Sequence, residues 1–592
     1  MRSLYVFFFL LNSLLLTAQP QSVIEEIDAF IQGVIMDDQA PSLSVAIVRG
    51  DKILLSKGYG FRDVENQLAA DEHTLYAIGS TTKAMTALAV CQLAAEGAIE
   101  LDRPLVNYLP SFRLYDPYAS EHMTPRDLLC HRSGLPRHDL AWYGSGLSRR
   151  EIFERLPHLP PSRGFREAFQ YQNIMFMTAG LLIEEVSGES WEAYLAENIF
   201  DPLGMDRANT SVEDSKVEEN AALPYGGAGN LIPFRNIDAI GPAGSVNASA
   251  RDMARWLQMQ IGRGSYDGEV ILPEAWHRET IQPSMVVPAD QGEWKQKLLF
   301  DNAGAPVSYG LGWFLSSHRG HALVSHGGSI DGFRAEVAFL PEREIGIAVM
   351  VNHNPSILPQ IVRNYVFDRL LELPPADWRE REERIRTSER KNDPAERPVP
   401  NTNPAHPLRD YLGEYEHPGY GKIDIRYRNQ QLQLIFRDFE IPLEHFHYEV
   451  FSLESGMFSD QKVVFQTGVD GKVKSISMTL EPQVAPITFD RKNTAQTQAA
   501  PDRLAEWQKY TGIYTVAGAE LEVKFKNANA LLIEIPLQGA FELSPVSDNI
   551  FSLVDQPAGQ VEFLTDAEGS GVSELILKQR GEIFRAKKVE RP

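Results

Sequence analysis

The C-terminal third of the chain contains one pattern twice, and this internal repeat limits the possible folds more than any other feature of the sequence. The stretch YLGEY, Tyr411–Tyr415, returns as YTGIY, Tyr510–Tyr514. Apolar and polar residues alternate after each copy, and this period of two is typical of β-strands. Two copies favour tandem domains over a solenoid. The repeat therefore predicts two antiparallel β-barrel domains, over residues 408–493 and 503–590.

The residues before the repeat have a mixed pattern of strands and helices. Strand-like stretches lie near both ends of residues 23–373, and a helical, loop-rich stretch from Pro104 to about Leu257 separates them. This order predicts one sheet made from the two ends of a domain, with a helical region inserted. Residues 374–407 are charged and then proline-rich, which is typical of a linker. The whole chain is therefore predicted to be a multidomain α+β protein.

Residues 1–19 have the pattern of a targeting segment. One arginine is followed by an apolar run from Leu4 to Leu16 and then by small residues. This pattern resembles a secretory signal peptide. A membrane anchor is the alternative, although the run is shorter than the ~20 residues of a spanning helix. We therefore expect a secreted or periplasmic protein with no stable membrane span.

Charge and composition narrow the classes of partner. The 592 residues carry a formal net charge of -23, which argues against binding to nucleic acid or to an anionic membrane surface. The sequence predicts no cofactor and no metal, because the nearest candidates, His131, His138 and Asp139, do not form a zinc-binding pattern. The expected partner is a small-molecule or peptide substrate.

A single lysine lies in an otherwise apolar helical stretch, Ile78–Val90. Lys83 follows Ser80 by three residues, a spacing that places both side chains on one face of a helix. Burial lowers the pKa of a lysine and prepares its amine to act as a base. The same Ser-x-x-Lys pattern occurs without an apolar helix at Ser388/Lys391 and Ser459/Lys462. The context of the pattern therefore selects Ser80 as the candidate nucleophile.

Two further polar stretches extend the candidate site. Tyr171-Gln-Asn173 comes directly before an apolar helical stretch, which places a phenol and an amide at a loop-to-helix junction. His326 ends an apolar strand-like stretch, and Gly327 and Gly328 after it allow a close approach of backbone.

Taken in order, these three motifs resemble those of the serine β-lactamase and penicillin-binding protein superfamily. The likeness is to the class C-like branch, which also contains D-aminopeptidases, D,D-peptidases and esterases. It spans roughly Val23 to Leu373, and the stretches LLCHRSGLP, GPAGSVNASARDMARWLQ and YGLGW support it. The resemblance implies an antiparallel sheet flanked by helices, with a helical region beside it.

The resemblance also implies catalytic roles. Ser80 would attack a carbonyl group and form an acyl-enzyme, while Lys83 and Tyr171 would take its proton and deliver one to the leaving group. Either a neutral lysine or a tyrosinate beside an ammonium could be the base, and the sequence leaves this choice open.

Substrate contacts are implied for four further groups. Asn173 would hold a substrate amide, and His326 would hydrogen-bond to Tyr171 or to the substrate. The backbone N–H groups of Ser80 and Ser329 would form the oxyanion hole. Gly328 would let the strand approach the nucleophile closely.

One departure from the family pattern bears on the substrate. Many relatives have a lysine or histidine followed by threonine and glycine where this chain has His326-Gly327-Gly328. The missing hydroxyl weakens the grip on a substrate carboxylate. We therefore predict a secreted serine hydrolase that cleaves a peptide, amide or ester bond, similar to a D-aminopeptidase or an esterase. The alternatives are a β-lactamase or D,D-carboxypeptidase and, from another class, a catalytically idle scaffold that binds through its barrels.

The tandem barrels resemble lipocalin-like accessory domains of D-aminopeptidase-like proteins. That resemblance implies that the barrels shape the entrance of the active site or bind a ligand. The alternative is a structural spacer or a dimerisation module, which would make the protein a homo-oligomer.

Overall fold

The structure is a computed structural model that describes residues 22–589 except 289–306, 375, 390–396, 429–430, 454–457, 459–460, 481–483, 493–506, 517, 528–529, 537, 548, 554–558, 566–570 and 580–581. The proposed signal peptide, residues 1–19, lies outside the described residues. The chain divides into two compact units. The first comprises Met1–Val399, His417–Gly421 and Met478–Ile487, and the second comprises Pro400–Glu416, Lys422–Ser477 and Thr488–Pro592.

One antiparallel sheet organises the first unit. The strands that precede the two barrels are, in chain order, β1 (Ser42–Arg49), β2 (Lys52–Asp63), β3 (Leu68–Ala69), β4 (Tyr76–Ala77), β5 (Tyr225–Gly226), β6 (Asn247–Ala248), β7 (Ser265–Tyr266), β8 (Glu269–Val270), β9 (Met285–Val287), β10 (Val307–Tyr309), β11 (Phe314–His318), β12 (His321–Ile330), β13 (Phe333–Leu340), β14 (Ile345–Val351) and β15 (His353–Asn354). The sheet has the order β3-β2-β1-β14-β13-β12-β11-β10-β9. Early strand β1 therefore lies beside late strand β14, which confirms a sheet made from the two ends of the domain.

Helices occupy the middle of the sequence and both ends of this region. They are α1 (22–37), α2 (Thr82–Ala95), α3 (Pro117–His122), α4 (Pro125–Leu129), α5 (Arg149–Glu154), α6 (Asn173–Ser187), α7 (Trp191–Leu195), α8 (Asp201–Leu203), α9 (Val212–Val217), α10 (Ala250–Ile261), α11 (Glu274–Thr280), α12 (Leu358–Leu370) and α13 (Trp378–Glu389). Helix α4 begins as its sequence predicts, because Thr124 accepts a hydrogen bond from the backbone N–H of Asp127 and Pro125 occupies the first helical position.

Apolar packing covers both faces of the centre of the sheet. All seven residues of β14 are buried. Helices α1 and α12 share one hydrophobic cluster with β1 and β14, in which Ile31, Val45, Ile347 and Val362 are fully buried. Helix α10 also contacts β1 and β14. Helices thus pack on the central strands from both faces of the sheet and hold these strands in place.

The segment predicted as a linker, 374–407, begins with helix α13. Trp378 at the start of α13 is 3% exposed and packs against Ile361 of α12. Its indole N–H donates a hydrogen bond to the Asp368 carboxylate over 2.9 Å. The first part of the charged segment is thus a helix anchored to the domain by Trp378 and by the ion pair of Arg379 with Asp38.

Two closed eight-stranded barrels follow, as the repeat predicts. The first consists of β16 (Gly413–His417), β17 (Gly421–Arg428), β18 (Gln431–Phe436), β19 (Phe439–His447), β20 (Val450–Leu453), β21 (Lys462–Thr467), β22 (Val473–Met478) and β23 (Ile487–Arg491). The second consists of β24 (Gly512–Val516), β25 (Ala519–Asn527), β26 (Ala530–Ile535), β27 (Gly539–Ser547), β28 (Ile550–Leu553), β29 (Gln560–Thr565), β30 (Val572–Gln579) and β31 (Glu582–Lys588). Closure leaves neither barrel with an open sheet edge.

The repeated tyrosines perform the same structural task in each barrel. The hydroxyl of Tyr415 donates to the backbone carbonyl of Tyr411 over 2.8 Å, and Tyr514 does the same to Tyr510 over 2.8 Å. All four tyrosines are buried. The glycine between the two tyrosines of each copy has a φ of 136°, a value that disfavours any residue with a Cβ. The repeat therefore encodes one corner that starts each barrel.

Among the described residues, no helix is both long and apolar enough to span a membrane. The cysteines Cys91 and Cys130 are both buried and free.

Candidate active site

Ser80 lies in a short 3-10 turn, Gly79–Thr81, that leads directly into α2. The α-helix itself begins at Thr82, two residues after Ser80. Gly79 has a φ of 54°, and a Cβ at this position would lie 2.7 Å from the backbone nitrogen of Ser329. Only glycine lets the turn come this close to β12 without displacement. Ser80 is held at the surface of the domain, partly exposed.

Lys83 is completely buried, and three oxygen atoms surround its amine. Its Nζ lies 2.8 Å from Oδ1 of Asn173, 2.7 Å from the carbonyl oxygen of Ala243 and 3.1 Å from Oγ of Ser80. The first two oxygens can only accept hydrogen bonds. A neutral amine has two N–H groups for these two acceptors, and its lone pair then faces the Ser80 hydroxyl. The geometry fits an amine that receives the serine proton.

Electrostatics favours the neutral form of Lys83. Burial lowers the pKa of this amine well below its ordinary value, and the positive charge of Arg137 lowers the pKa further. The carboxylate of Asp139 acts in the opposite direction. Desolvation is the largest of these causes, so the apolar surroundings of Lys83 are the main reason for its lowered pKa.

Tyr171 lies beside this amine at the entrance to α6. Its ring centre is 4.8 Å from Nζ of Lys83, and the guanidinium of Arg137 lies over the ring at 4.9 Å. The phenol ring is 5% exposed. Gln172 caps α6 through its side chain, and its backbone N–H donates to Nδ1 of His131 over 3.0 Å. His131, which the sequence offered only as a weak metal candidate, therefore fixes the segment that carries Tyr171.

The side-chain amide of Asn173 contacts both Lys83 and Asp139. Its Oδ1 accepts from Lys83, and its Nδ2 donates to Oδ1 of Asp139 over 2.8 Å. Asp139 also accepts from Nε of Arg137 over 2.8 Å and from the indole of Trp142 over 3.1 Å. An amide nitrogen carries two N–H groups and one of them donates to Asp139, so the role of Asn173 as the holder of a substrate amide stays a prediction. The sequence analysis did not identify Arg137, because no local motif indicates that its guanidinium lies over the ring of Tyr171.

His326 lies on β12 and is 1% exposed. Its Nε2 is 2.9 Å from the hydroxyl of Tyr309, and its Nδ1 is 2.7 Å from the carbonyl oxygen of Gly327. The His326 ring centre is 6.2 Å from that of Tyr171. Tyr309 was not among the predicted site residues, although it opens the YGLGW stretch that pointed to this region.

The predicted oxyanion donors lie on two backbones that meet closely. A Cβ on Gly328 would overlap the carbonyl oxygen of Ile78 and would lie 3.3 Å from the backbone nitrogen of Ser80. Strand β12 pairs with β13 as far as Ile330, whereas its pairing with β11 extends only from His321 to Ser325. The part of β12 that carries Gly328 and Ser329 therefore lies against the turn of Ser80.

Within the described ranges, no group of three or more His, Cys, Asp or Glu residues could hold a metal ion. His138 has its Nε2 2.9 Å from the carbonyl oxygen of Pro160, and Asp139 is committed to Arg137 and Asn173.

Known protein families and relatives match most of the chain. A family model described as Beta-lactamase matches residues 23–368, and one described as Domain of unknown function (DUF3471) matches residues 397–491. Unguisins hydrolase ungD' of Aspergillus campestris is 26% identical over 491 residues, which cover 75% of this chain and 87% of that protein. Protein flp of Staphylococcus aureus is 26% identical over 355 residues, which cover 57% of this chain but only 65% of Protein flp.

A solved structure has the same fold. The octameric penicillin-binding protein homologue from Pyrococcus abyssi aligns with a TM-score of 0.52 and 24% identity, over 79% of this chain and 100% of that chain.

Proposed function

Because the chain belongs to the beta-lactamase family of serine hydrolases, we propose that it cleaves a peptide, amide or ester bond through an acyl-Ser80 intermediate. The observation that carries this proposal is the buried amine of Lys83, 3.1 Å from Oγ of Ser80 and with its other two neighbours both acceptors. The hydrolase name of the Aspergillus relative supports the same class of reaction.

In the proposed acylation step, Oγ of Ser80 attacks the substrate carbonyl while its proton passes to Nζ of Lys83. Negative charge then develops on the carbonyl oxygen. The backbone N–H groups of Ser80 and Ser329 would stabilise that charge, since their two backbones meet at the Gly79 and Gly328 contacts. Collapse of the tetrahedral intermediate breaks the bond to the leaving amine or alcohol, which takes the proton.

We assign to Tyr171 the transfer of that proton to the leaving group. Its ring stands beside both Lys83 and Arg137, so a phenol at this place can relay a proton between the amine and the leaving group. A water molecule then attacks the acyl ester and its proton passes to Lys83. The bond between Oγ of Ser80 and the acyl carbon breaks, Lys83 returns the proton to Oγ, and the acid product is released. We assign the base role to Lys83, because burial lowers the pKa of its amine.

The third motif supports an amide or ester substrate without a carboxylate at the leaving side. Both ring nitrogens of His326 already have oxygen neighbours, in Tyr309 and Gly327. The His-Gly-Gly stretch supplies no lysine ammonium and no hydroxyl for such a carboxylate. We therefore place a D-aminopeptidase-like or esterase-like activity ahead of β-lactamase or D,D-carboxypeptidase activity.

A substrate panel tests the proposal. The purified full chain is assayed with p-nitrophenyl esters, D- and L-amino-acid p-nitroanilides and nitrocefin, beside Ser80→Ala and Ser388→Ala. We expect Ser80→Ala to lower ester or anilide hydrolysis at least about 10³-fold, and Ser388→Ala, at a second Ser-x-x-Lys pattern, to leave it unchanged. Nitrocefin turnover above all esters and anilides would instead identify a β-lactamase. Hydrolysis that survives Ser80→Ala would contradict the acyl-Ser80 route, and no hydrolysis at all would favour the scaffold alternative.

We also propose export from the cytoplasm, on the basis of residues 1–19 alone. N-terminal sequencing of the protein recovered from its native host should find a chain that begins after about residue 19. An intact first residue on cytoplasmic protein would contradict export.

Self-association through the barrels is the remaining proposal about partners. Sedimentation velocity of the full chain should then find a species larger than one 66.4 kDa chain. A single monomeric boundary at micromolar concentration would oppose it.

A further inference from the structure

A cleft lies next to the nucleophile turn. Ala77 of β4, Gly244 and Ile330 of β12 are among its lining residues. Ala77 precedes Ser80 by three residues, and Ile330 directly follows Ser329. A Cβ on Gly244 would lie 3.6 Å from the backbone carbon of Gly79. The cleft therefore opens where a substrate bound at the Ser80 turn would place one of its side chains.

The walls of this cleft are mostly apolar. Val212, Phe234, Ile330 and Phe333 line it, and the rings of Phe234 and Phe333 stack with their centres 6.2 Å apart. Such walls stabilise an aliphatic or aromatic stem by removing its surface from water.

One carboxylate in the cleft has an oxygen that lacks a partner. Asp238 lines the cleft, and its Oδ2 accepts from Ser211 over 2.7 Å and from Asn236 over 3.2 Å. Its Oδ1 is buried and has no hydrogen-bond partner among the described residues. A buried carboxylate oxygen without a donor is costly, so this atom is suited to a donor that arrives with a ligand.

The other charges near the cleft are already compensated. Arg235 lies 3.8 Å from Oδ2 of Asp331, whose Oδ1 accepts from the Tyr143 hydroxyl over 2.6 Å. The guanidinium of Arg149 donates to the backbone carbonyl of Asp238, and its charge is compensated by two glutamates, Glu184 and Glu192. The carboxylate of Asp238 is thus the negative charge in this cleft that no described cation neutralises.

We infer that the cleft receives the side chain of the acyl residue and selects an aliphatic stem that ends in an ammonium, as in lysine or ornithine. The stem packs against Phe234 and Phe333, and the ammonium donates to Oδ1 of Asp238. This inference rests on the proposed function, since it names the substrate class of the same site. It predicts that a charge at the far end of the acyl side chain, rather than the length of the stem, decides the rate.

Three matched substrates test the inference on the unmodified full chain. They are the p-nitroanilides of lysine, norleucine and Nε-acetyl-lysine, each as D and L forms. We expect kcat/KM for the preferred lysine enantiomer to exceed that for norleucine by at least about 10-fold, and the acetylated compound to fall to the level of norleucine or below. A lysine-to-norleucine ratio of one or less would overturn the inference.

Two variants locate the effect. Asp238→Asn should lower the lysine-to-norleucine ratio about 10-fold, whereas Asp214→Asn, the same charge change at an exposed position of α9, should keep the ratio of the unmodified chain. An unchanged ratio in Asp238→Asn would also overturn the inference. Labelling of Ser80 by a fluorophosphonate separates the two levels: labelled enzyme without lysine preference refutes the cleft assignment alone, and absence of both labelling and turnover refutes the proposed function itself.

Discussion

Lys83 is the residue on which the proposed chemistry depends, and its surroundings set its protonation. Apolar burial and the charge of Arg137 both lower the pKa of the amine, while Asp139 raises it. The neutral amine is the form that can accept the proton of Ser80. Activity should therefore fall as pH decreases through the pKa of Lys83, which produces the acid limb of a pH profile.

The two charged neighbours should move that acid limb in opposite directions. Arg137→Met removes a positive charge, so the pKa of Lys83 rises and the limb of kcat/KM moves to higher pH. Asp139→Asn removes a negative charge, so the pKa falls and the limb moves to lower pH. Arg278→Met, at an exposed arginine of α11, is the control. Shifts of the same sign in both variants would contradict this account.

The sequence predicted site residues only where those residues lie close together along the chain. The pair Ser80 and Lys83 lies within one helical turn, so spacing and an apolar context were enough to find it. Arg137 and Asp139 reach the site from a separate loop, and no pattern around them indicates their contact with Tyr171 or Asn173. Such contacts depend on how loops fold back on each other, which one sequence does not encode in a short motif.

At the scale of elements, close backbone packing between the Ser80 turn and β12 holds the proposed oxyanion site. Gly328 is required there, because a Cβ would overlap the carbonyl oxygen of Ile78. Gly328→Ala should displace one donor and slow acylation at least about 100-fold. Gly33→Ala is the matched control, because Gly33 lies in α1 with open space around it and should gain roughly 0.5–1 kcal/mol in the free energy of unfolding. Acylation of Gly328→Ala at the unmodified rate would contradict the assignment.

The repeated corner of the barrels gives a second prediction at this scale. Tyr415→Phe and Tyr514→Phe each remove the hydroxyl that donates to a buried backbone carbonyl. Each substitution should lower the free energy of unfolding of its own barrel by about 1–2 kcal/mol, measured by urea denaturation. Tyr427→Phe, at a tyrosine that is 43% exposed, should have almost no effect. Unequal results for Tyr415 and Tyr514 would mean that the repeat does not encode one shared device.

At the scale of the whole molecule, the alternation of strands and the internal repeat predicted the sheet and both barrels. The pattern is strong because each barrel strand has one face in a packed interior. The helix α13 inside the predicted linker shows the limit of this reasoning. Its charged composition indicates solvent exposure, yet Trp378 packs against Ile361 and Arg379 pairs with Asp38, and composition alone indicates neither contact.

The division of the chain also predicts which parts the reaction needs. All residues of the first unit lie before residue 488, so a chain that ends at residue 500 lacks only residues of the second unit. This shortened chain should react with a fluorophosphonate at Ser80 at the rate of the full chain. If it stays folded by circular dichroism but loses labelling, the second barrel contributes to the reaction.

The central claim is that Ser80 forms a covalent acyl-enzyme with Lys83 as its base. Intact-mass spectrometry of the full chain after a brief reaction with a p-nitrophenyl ester, followed by peptide mapping, tests it most directly. We predict one added acyl group on the peptide that contains Ser80, no addition in Ser80→Ala, and strongly slowed addition in Lys83→Met. Hydrolysis of the ester without any acyl group on Ser80, or acylation that proceeds at the full rate in Lys83→Met, would contradict the account.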